Sequence, residues 1–431
     1  MDDADPPVRR RAPARDLAAV SVGNALEFYD FVTFALFAIY IGKAFFPSHD
    51  AATSLLESLA TFGAGFLTRP LGGMVLGTLG DRIGRKPALL ICFALMGLGM
   101  AGIALTPDYS VIGPAAPAIA ILCRLIQGFA VGGEVGPATA FMLEAAPRGR
   151  RALFVGIQGA SQNLAILAAS SIGLVLSLTL SPAQLQGFGW RLAFLLGVAI
   201  VPYGLWLRRR LPETLPARPG AASRTRVRNH ARLLTVSFFV LTGGTMTTYV
   251  GAYTTTWAMD TLHMSPAVAF GRTVVATVIT IVSVIVGSLL SDRYGRRPLM
   301  IWPTVAGLVL APLVYLSITS HPTPLRLYAG TCLLAAVLPL TGGAFYAALA
   351  ESLPPQIRSG AISILYALAI GIFGGSTQFV IRWLIKTTGD PMTPGWYLTG
   401  ALAITLLASM AMRESAPVHR LEPVGALAPA G

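Results

Sequence analysis

The chain has 431 residues, of which 54% are hydrophobic and only 12% charged, with a formal net charge of +13. A soluble domain carries about twice that charged fraction, so a large soluble helical protein is excluded as the primary reading. The three cysteines (Cys92, Cys123, Cys332) sit in apolar stretches with neither metal-ligand spacing nor a disulfide framework, and read as small packed hydrophobes.

Apolar runs of bilayer-spanning length recur along the whole chain, near 17–42, 52–78, 88–106, 115–142, 152–180, 191–208, 233–259, 267–290, 298–319, 327–350, 360–385 and 394–412. That is about twelve helices of the ~20 residues a span needs, and the expected class is an all-α membrane protein. The first ~16 residues are polar and mixed in charge, with no short apolar core leading to a small-residue cleavage site. The first span is therefore expected to be retained.

Basic residues alternate between loops. One side collects Arg9, Arg10, Arg11 and Arg15, then Arg82, Arg85 and Lys86, then Arg148, Arg150 and Arg151. The same side carries the Arg-rich stretch from Arg208 to Arg232, then Arg293, Arg296, Arg297, Arg358, Arg413 and Arg420. Only Lys43, Arg191, Arg272, Arg326, Arg382 and Lys386 lie near the opposite ends, and Arg69 and Arg124 fall within spans. This positive-inside pattern puts both termini in the cytoplasm of a cell whose inner membrane holds the protein. The basic excess is then a topology signal with the lipid bilayer as partner, and nucleic acid is not expected.

The chain repeats itself. Gly80-Asp81-Arg82-Ile83-Gly84-Arg85-Lys86-Pro87 follows the second span, and Ser291-Asp292-Arg293-Tyr294-Gly295-Arg296-Arg297-Pro298 follows the eighth. A second pair, Glu144 to Arg151 and Glu351 to Arg358, ends the fourth and tenth spans. Repeats at matching topological ranks imply a duplicated six-helix unit. The expected organisation is a tail at 1–16, a bundle at 17–210, a linker at 211–231, a second bundle at 232–413 and a tail at 414–431. Gly84 and Gly295 permit a tight turn, the following proline suits a first helical turn, and Asp81 and Asp292 can pair with arginine or cap a helix N-terminus. Asp81, Arg82, Arg85, Glu144, Arg148, Asp292, Arg293 and Arg296 are therefore expected to form a cytoplasmic gate whose contacts break when that face opens.

The motif formed by Gly77, Leu79, Asp81, Arg82, Gly84, Arg85, Lys86 and Pro87 strongly resembles the signature of the major facilitator superfamily. That resemblance implies two bundles rocking around a central site near the bilayer midplane. Gly23-Asn24-Ala25-Leu26-Glu27-Phe28-Tyr29-Asp30-Phe31 and Arg124-Leu125-Ile126-Gln127-Gly128 with Gly132-Gly133-Glu134 look like segments of the metabolite–proton symporters. That group includes carriers for citrate, α-ketoglutarate, shikimate and proline/betaine. Within it the chain is most similar to the bacterial citrate–proton symporters, on Thr68-Arg69-Pro70-Leu71-Gly72-Gly73, Ser161-Gln162, Ile372-Phe373-Gly374-Gly375 and Thr388-Gly389-Asp390. What the resemblance implies is uptake of a small organic anion, a citrate-like tri- or dicarboxylate, coupled to H+ (Na+ is left open). No cofactor or metal is expected, and a monomer suffices.

Ionisable groups inside spans are costly and point to function. Asn24, Glu27 and Asp30 step down the first helix, and Arg124, Gln127 and Glu134 share a face of the fourth. An acid on one helix and an arginine on another can neutralise each other, and protonating the acid would release the arginine. By resemblance to proton-linked facilitators, Asp30 is expected to carry the proton and Arg124 to be its partner, with Glu27 and Glu134 supporting; the competing reading is a static ion pair that fixes packing. Asn24, Arg124, Gln127, Gln158, Ser161, Gln162, Tyr249, Tyr253, Tyr346, Ser376 and Gln378 are the expected substrate contacts, since amides, hydroxyls and tyrosine suit carboxylates. Arg272 and Arg382 are expected near the outer ends of their helices, drawing anions into a vestibule or snorkelling to the interface.

Other readings were weighed against this one. A zwitterion carrier, a drug or metabolite exporter and a non-transporting membrane sensor share the architecture. An enzyme would need a nucleophile–base or metal constellation, and His230, His263 and His321 are isolated. The Gly97-Leu98-Gly99-Met100-Ala101-Gly102 stretch has dinucleotide-loop spacing but sits mid-span with no strand before it, which points to helix packing.

Overall fold

The computed structural model describes residues 24–25, 28–83, 85–132, 139, 142–143, 146–147, 149–209 and 230–416. Helices occupy all twelve places where the apolar runs lie. In chain order they are α1 (Phe28–Leu36) and α2 (Ala38–Phe45), then α3 (Ala51–Leu67), α4 (Arg69–Ile83), α5 (Arg85–Leu105), α6 (Ala115–Val131), α7 (Arg151–Thr179) and α8 (Trp190–Arg209). The series continues with α9 (Ala231–Asp260), α10 (Pro266–Tyr294), α11 (Arg296–Ser320), α12 (Pro324–Val337), α13 (Gly342–Ser352), α14 (Pro355–Ala369), α15 (Gly375–Thr388) and α16 (Thr393–Ala411). Among the described residues, seven helical rods are long and apolar enough on their own to cross a bilayer.

Several spans are interrupted, and each interruption has a packing consequence. The first span bends by 70° between α1 and α2, and Phe37 at the bend lies 5.1 Å ring to ring from Phe270 of α10. A 3-10 turn over Leu338–Thr341 joins α12 to α13, and a π-helical turn over Ile370–Gly374 joins α14 to α15. The π turn delivers Gly375 against α3, where a Cβ on Gly63 would come 2.7 Å from the Gly375 carbonyl oxygen. Helix α7 packs along α10 for most of their lengths. These contacts, α3 on α15 and α7 on α10, join residues of the expected first and second bundles.

Small residues let backbones approach where charge must be placed. A Cβ on Gly128 would lie 1.5 Å from the Gly65 carbonyl oxygen, and one on Gly132 would lie 2.0 Å from that of Arg69. Membrane helices associate through such close van der Waals contact because lipid supplies no hydrophobic drive between them. The result seats α6 directly on α3 and α4 and brings Arg69 and Arg124 together.

The turn after α10 depends on Gly295, whose φ of 104° lies in the region open to glycine. It starts α11 with Pro298 in the first turn, and the chain end folds back to cap that start. The Glu414 carboxylate accepts from the backbone N–H groups of Arg296 and Arg297, each at 2.9 Å. Burial opposes the charge, but the N–H groups of Arg296, Ala416, Arg297 and Ser415 outweigh it and hold Glu414 below the usual carboxylate range.

Two outcomes follow. Gly128→Ala should cost about 1–3 kcal/mol of stability, the usual penalty of overpacking, whereas Gly400→Ala, with open space at its Cβ, should cost nothing; thermal unfolding of the purified variants compares them, and equal behaviour would contradict the close seating of α6. For Glu414, a lowered folded-state pKa means its stabilisation is full above the ordinary glutamate range and is lost as pH falls through the lowered value. The melting-temperature gap between wild type and Glu414→Ala should therefore be open at neutral pH and close on acidification; a gap independent of pH would contradict the cap.

Candidate functional site: a buried charge cluster beside a hydroxyl-lined cavity

Asp30 of α1, Arg124 and Gln127 of α6, and Arg69 of α4 meet inside the first bundle. The three-residue spacing of Arg124 and Gln127 puts both on one helix face. Asp30, Arg124 and Gln127 have no solvent exposure, and Arg69 is 3% exposed. Gln127 bridges the charges. Its Nε2 donates to Asp30 Oδ1 at 2.8 Å, and Arg124 Nη1 donates to its Oε1, also at 2.8 Å. The direct Arg124–Asp30 approach is longer, 3.8 Å from Nη1 to Oδ2.

The pair is incompletely satisfied. Asp30 Oδ2 and Arg124 Nε and Nη2 have no hydrogen-bond partner among the described residues. Aromatic faces take their place. The Arg124 guanidinium lies 4.4 Å from the Phe31 ring, 4.7 Å from Phe34 and 5.3 Å from Phe62. The Arg69 guanidinium also lies over Phe31, 4.4 Å from its ring, and 4.5 Å from the Phe66 ring, and it interacts with Tyr366 and Tyr249. Ring quadrupoles attract a desolvated cation but do not neutralise it. Among the described residues, one carboxylate therefore faces two guanidiniums. Arg69 was visible in the sequence as a charge within a span, but it was read as part of a family-like motif and not as a member of the site.

A cavity of about 370 Å³ opens beside this cluster, within the size range of small-molecule sites. Phe31 and Phe62 line it, so the same rings that cover Arg124 form its wall. Tyr249 lines it too and packs edge-on against Phe66, 5.7 Å away. The cavity wall is rich in threonine from α9, α10 and α12, including Thr245, Thr248, Thr277 and Thr331.

The expected substrate contacts divide. Gln162, Tyr249 and Tyr346 line the cavity. Asn24, Gln158 and Ser161 are spent on one another: Asn24 Nδ2 donates to Ser161 Oγ at 2.9 Å and to the Gln158 carbonyl at 3.2 Å, and Gln158 Oε1 accepts from Thr139. Arg124 and Gln127 stand behind the aromatic wall. Tyr253 is fully buried in a packed cluster with Trp257 and Tyr315, and Gln378 on α15 is fully buried with neither amide atom hydrogen-bonded among the described residues. Ser376 donates to its own helix at the Ile372 carbonyl. Glu27 and Glu134 lie outside the described residues.

Both outer arginines turn inward. Arg382 is held by Asp260, 3.0 Å from Nε to Oδ2, a partner on another helix. Arg272, near the start of α10, is 4% exposed and turned into the cavity.

On the side of the basic loops, the second copy of the repeat makes a network across the bundles. Asp292 accepts from the N–H groups of Ala152 and Leu153 at 3.0 Å each, capping the start of α7, where a helix favours negative charge. Asp292 also pairs with Arg296 at 2.7 Å, Arg296 pairs with Glu351 at 3.0 Å, and Arg151 approaches Glu351 at 3.7 Å. Arg293 points away, over the exposed ring of Tyr294. Glu144 and Arg148 lie outside the described residues, as do the side chains of Asp81, Arg82 and Arg85. At the opposite end Lys386 pairs with Asp50 at 2.7 Å, and the ammonium holds that carboxyl below its usual range.

No cluster of metal-ligating side chains is present among the described residues. A major facilitator superfamily model matches residues 20–376. The citrate-proton symporter of Salmonella typhi is 36% identical over 420 residues, covering 96% of each chain. The alpha-ketoglutarate permease of Escherichia coli (strain K12) is 33% identical over 430 residues, again covering 96% of each. Among solved structures, a partially occluded inward-open xylose transporter from E. coli superposes with a TM-score of 0.75 at 16% identity, over 93% of this chain and 98% of that one, which speaks to the fold. The chain belongs to the major facilitator superfamily: it is a multi-pass membrane transporter of small metabolites, related along its full length to proton symporters.

Proposed function

We propose that this protein takes up a small carboxylate, citrate or a related tri- or dicarboxylate, by proton-coupled symport with alternating access. The observation that carries the reading is Asp30: a buried carboxylate, loosely paired with Arg124 and shared with Arg69, directly behind the wall of a hydroxyl-lined cavity. The sequence relatives support the substrate class.

The coupling runs through charge balance. With Asp30 ionised, the described residues of the cluster carry one negative and two positive charges. A proton on Asp30 leaves two desolvated guanidiniums with no counter-charge among the described residues, which is costly at bilayer depth. An anion entering the cavity offsets that cost across Phe31 and Phe62, so proton and substrate favour each other's binding. Gln127 can stay bonded to Arg124 while Asp30 changes state.

The bundles at 17–210 and 232–413 are the rocking units, joined by the linker at 211–231, with the basic loops and both termini on the cytoplasmic side of the inner membrane. The Asp292–Arg296–Glu351 network closes that side in this state, and Lys386–Asp50 ties the outer side. Opening inward requires Asp292 to leave the start of α7.

In proteoliposomes, an inward proton gradient should drive citrate accumulation and a protonophore should abolish it. Asp30→Asn should reduce accumulation to the level of protein-free liposomes while citrate–citrate exchange continues. Undiminished pH-driven accumulation in Asp30→Asn would overturn the role given to this carboxylate.

A further inference from the structure

Arg272 sits in the second turn of α10, and its side chain is almost wholly buried. Of the described residues lining the cavity, it is the one that carries a formal charge. Its nitrogens reach only neutral oxygens. Nε donates to Thr331 Oγ1 at 3.2 Å, Nη1 to Thr273 Oγ1 at 3.2 Å, and Nη2 to the Gly251 carbonyl at 3.4 Å.

The other buried arginines of the described chain are differently placed. Arg124 faces Asp30 and Arg296 faces Asp292 and Glu351, while Arg69 lies behind the cavity wall in the Asp30 cluster; the half-buried Arg382 faces Asp260. Among the described residues, no aspartate or glutamate lies within ion-pair distance of Arg272. The titratable groups that face it are Tyr315, Cys332 and Tyr328, none of which supplies a negative charge at neutral pH. A buried cation without a counter-ion is costly. Its three hydrogen bonds fix the plane of the guanidinium but leave its charge open.

We infer that Arg272 is the fixed positive charge of a carboxylate subsite in the second bundle. The ligand it takes is an organic anion, one carboxylate of which meets the guanidinium. Tyr315 lines the same cavity and offers its hydroxyl to the remaining oxygens, whereas the Thr254 and Thr277 hydroxyls donate to the Val250 and Thr273 carbonyls of their own helices. Thr331 and Thr273 are positioning residues, because they hold the fork by its edges. The inference rests on the proposed function for the identity of the anion, but not for the existence of the subsite. It also assigns different tasks to the arginines: Arg124 and Arg69 answer to the proton behind the wall, and Arg272 answers to the substrate inside the cavity.

The test is a thermal-shift series on purified full-length protein, wild type against Arg272→Gln and Arg272→Lys, with citrate, tricarballylate, α-ketoglutarate and betaine as the probes. A ligand that binds the native state raises the melting temperature by mass action. Arg272→Gln is expected to melt no lower than wild type without ligand, since it removes an uncompensated charge, and to lose the shift with every carboxylate. Arg272→Lys keeps the charge but not the planar fork, and should weaken binding by about tenfold or more; it carries the test if Arg272→Gln does not fold. Wild-type shifts retained in both variants overturn the subsite. A lower melting temperature of Arg272→Gln with its ligand shifts intact assigns Arg272 to packing and overturns it as well. A wild type stabilised by betaine but by no di- or tricarboxylate overturns the tricarboxylate reading alone, provided Arg272→Gln loses the betaine shift. A wild type stabilised by none of the four overturns both.

Discussion

Asp30 set against the guanidiniums of Arg124 and Arg69, all three sealed from solvent, is the constraint around which the first bundle is organised. Asp30 cannot be left alone in such a place, and neither can Arg124 or Arg69. The helices must therefore come close enough to hold them together. That closeness comes from the absence of side chains at Gly65, Gly128 and Gly132, where any Cβ would meet backbone. The aromatic rings of Phe31, Phe34, Phe62 and Phe66 then fill the space around the cations. Packing and electrostatics are the same problem here, solved by small residues on one face and rings on the other.

The cluster is strained in a chemical sense: it has more polar atoms than partners. A well-satisfied ion pair would be a stable strut. A 3.8 Å approach with an unpartnered carboxylate oxygen leaves little to lose when the charge changes. Because Phe31 and Phe62 belong to both the cation's cover and the cavity wall, any shift of Arg124 is transmitted to the cavity by direct contact. The second bundle is built differently. It presents threonine hydroxyls, tyrosines and one arginine to the cavity, and its ion pairs lie at its ends.

Much of this was legible in the sequence, because charge in an apolar run is conspicuous and a repeated loop marks duplication. The twelve helical places follow from the apolar runs, the Asp30–Arg124 partnership is what the resemblance to proton-linked facilitators implies, and the repeated loop marks Asp292 as a partner for arginine or a helix N-terminus. Periodicity could not say which neighbour a polar face meets. Ser161 and Gln162 are adjacent, yet the first is bonded to Asn24 and the second faces the cavity. Tyr249 and Tyr253 share a helical stripe, yet only the former lines the cavity, because the stripe runs past the cavity into the core around Trp257. Arg382 and Asp260 are paired across 122 residues of chain, which no local pattern encodes. Counting along α10 puts Arg272 near the outer end of its helix, where it lies, but the direction of its side chain is set by how α10 packs against α7 and α12.

The central claim is that Asp30 is the group whose protonation is linked to substrate. Its most direct test is the count of protons exchanged when citrate binds, measured with a pH indicator in weakly buffered solutions of purified protein. Wild type should take up protons on citrate binding, and Asp30→Asn should bind citrate with that uptake abolished. Equal proton uptake by the two proteins would contradict the account.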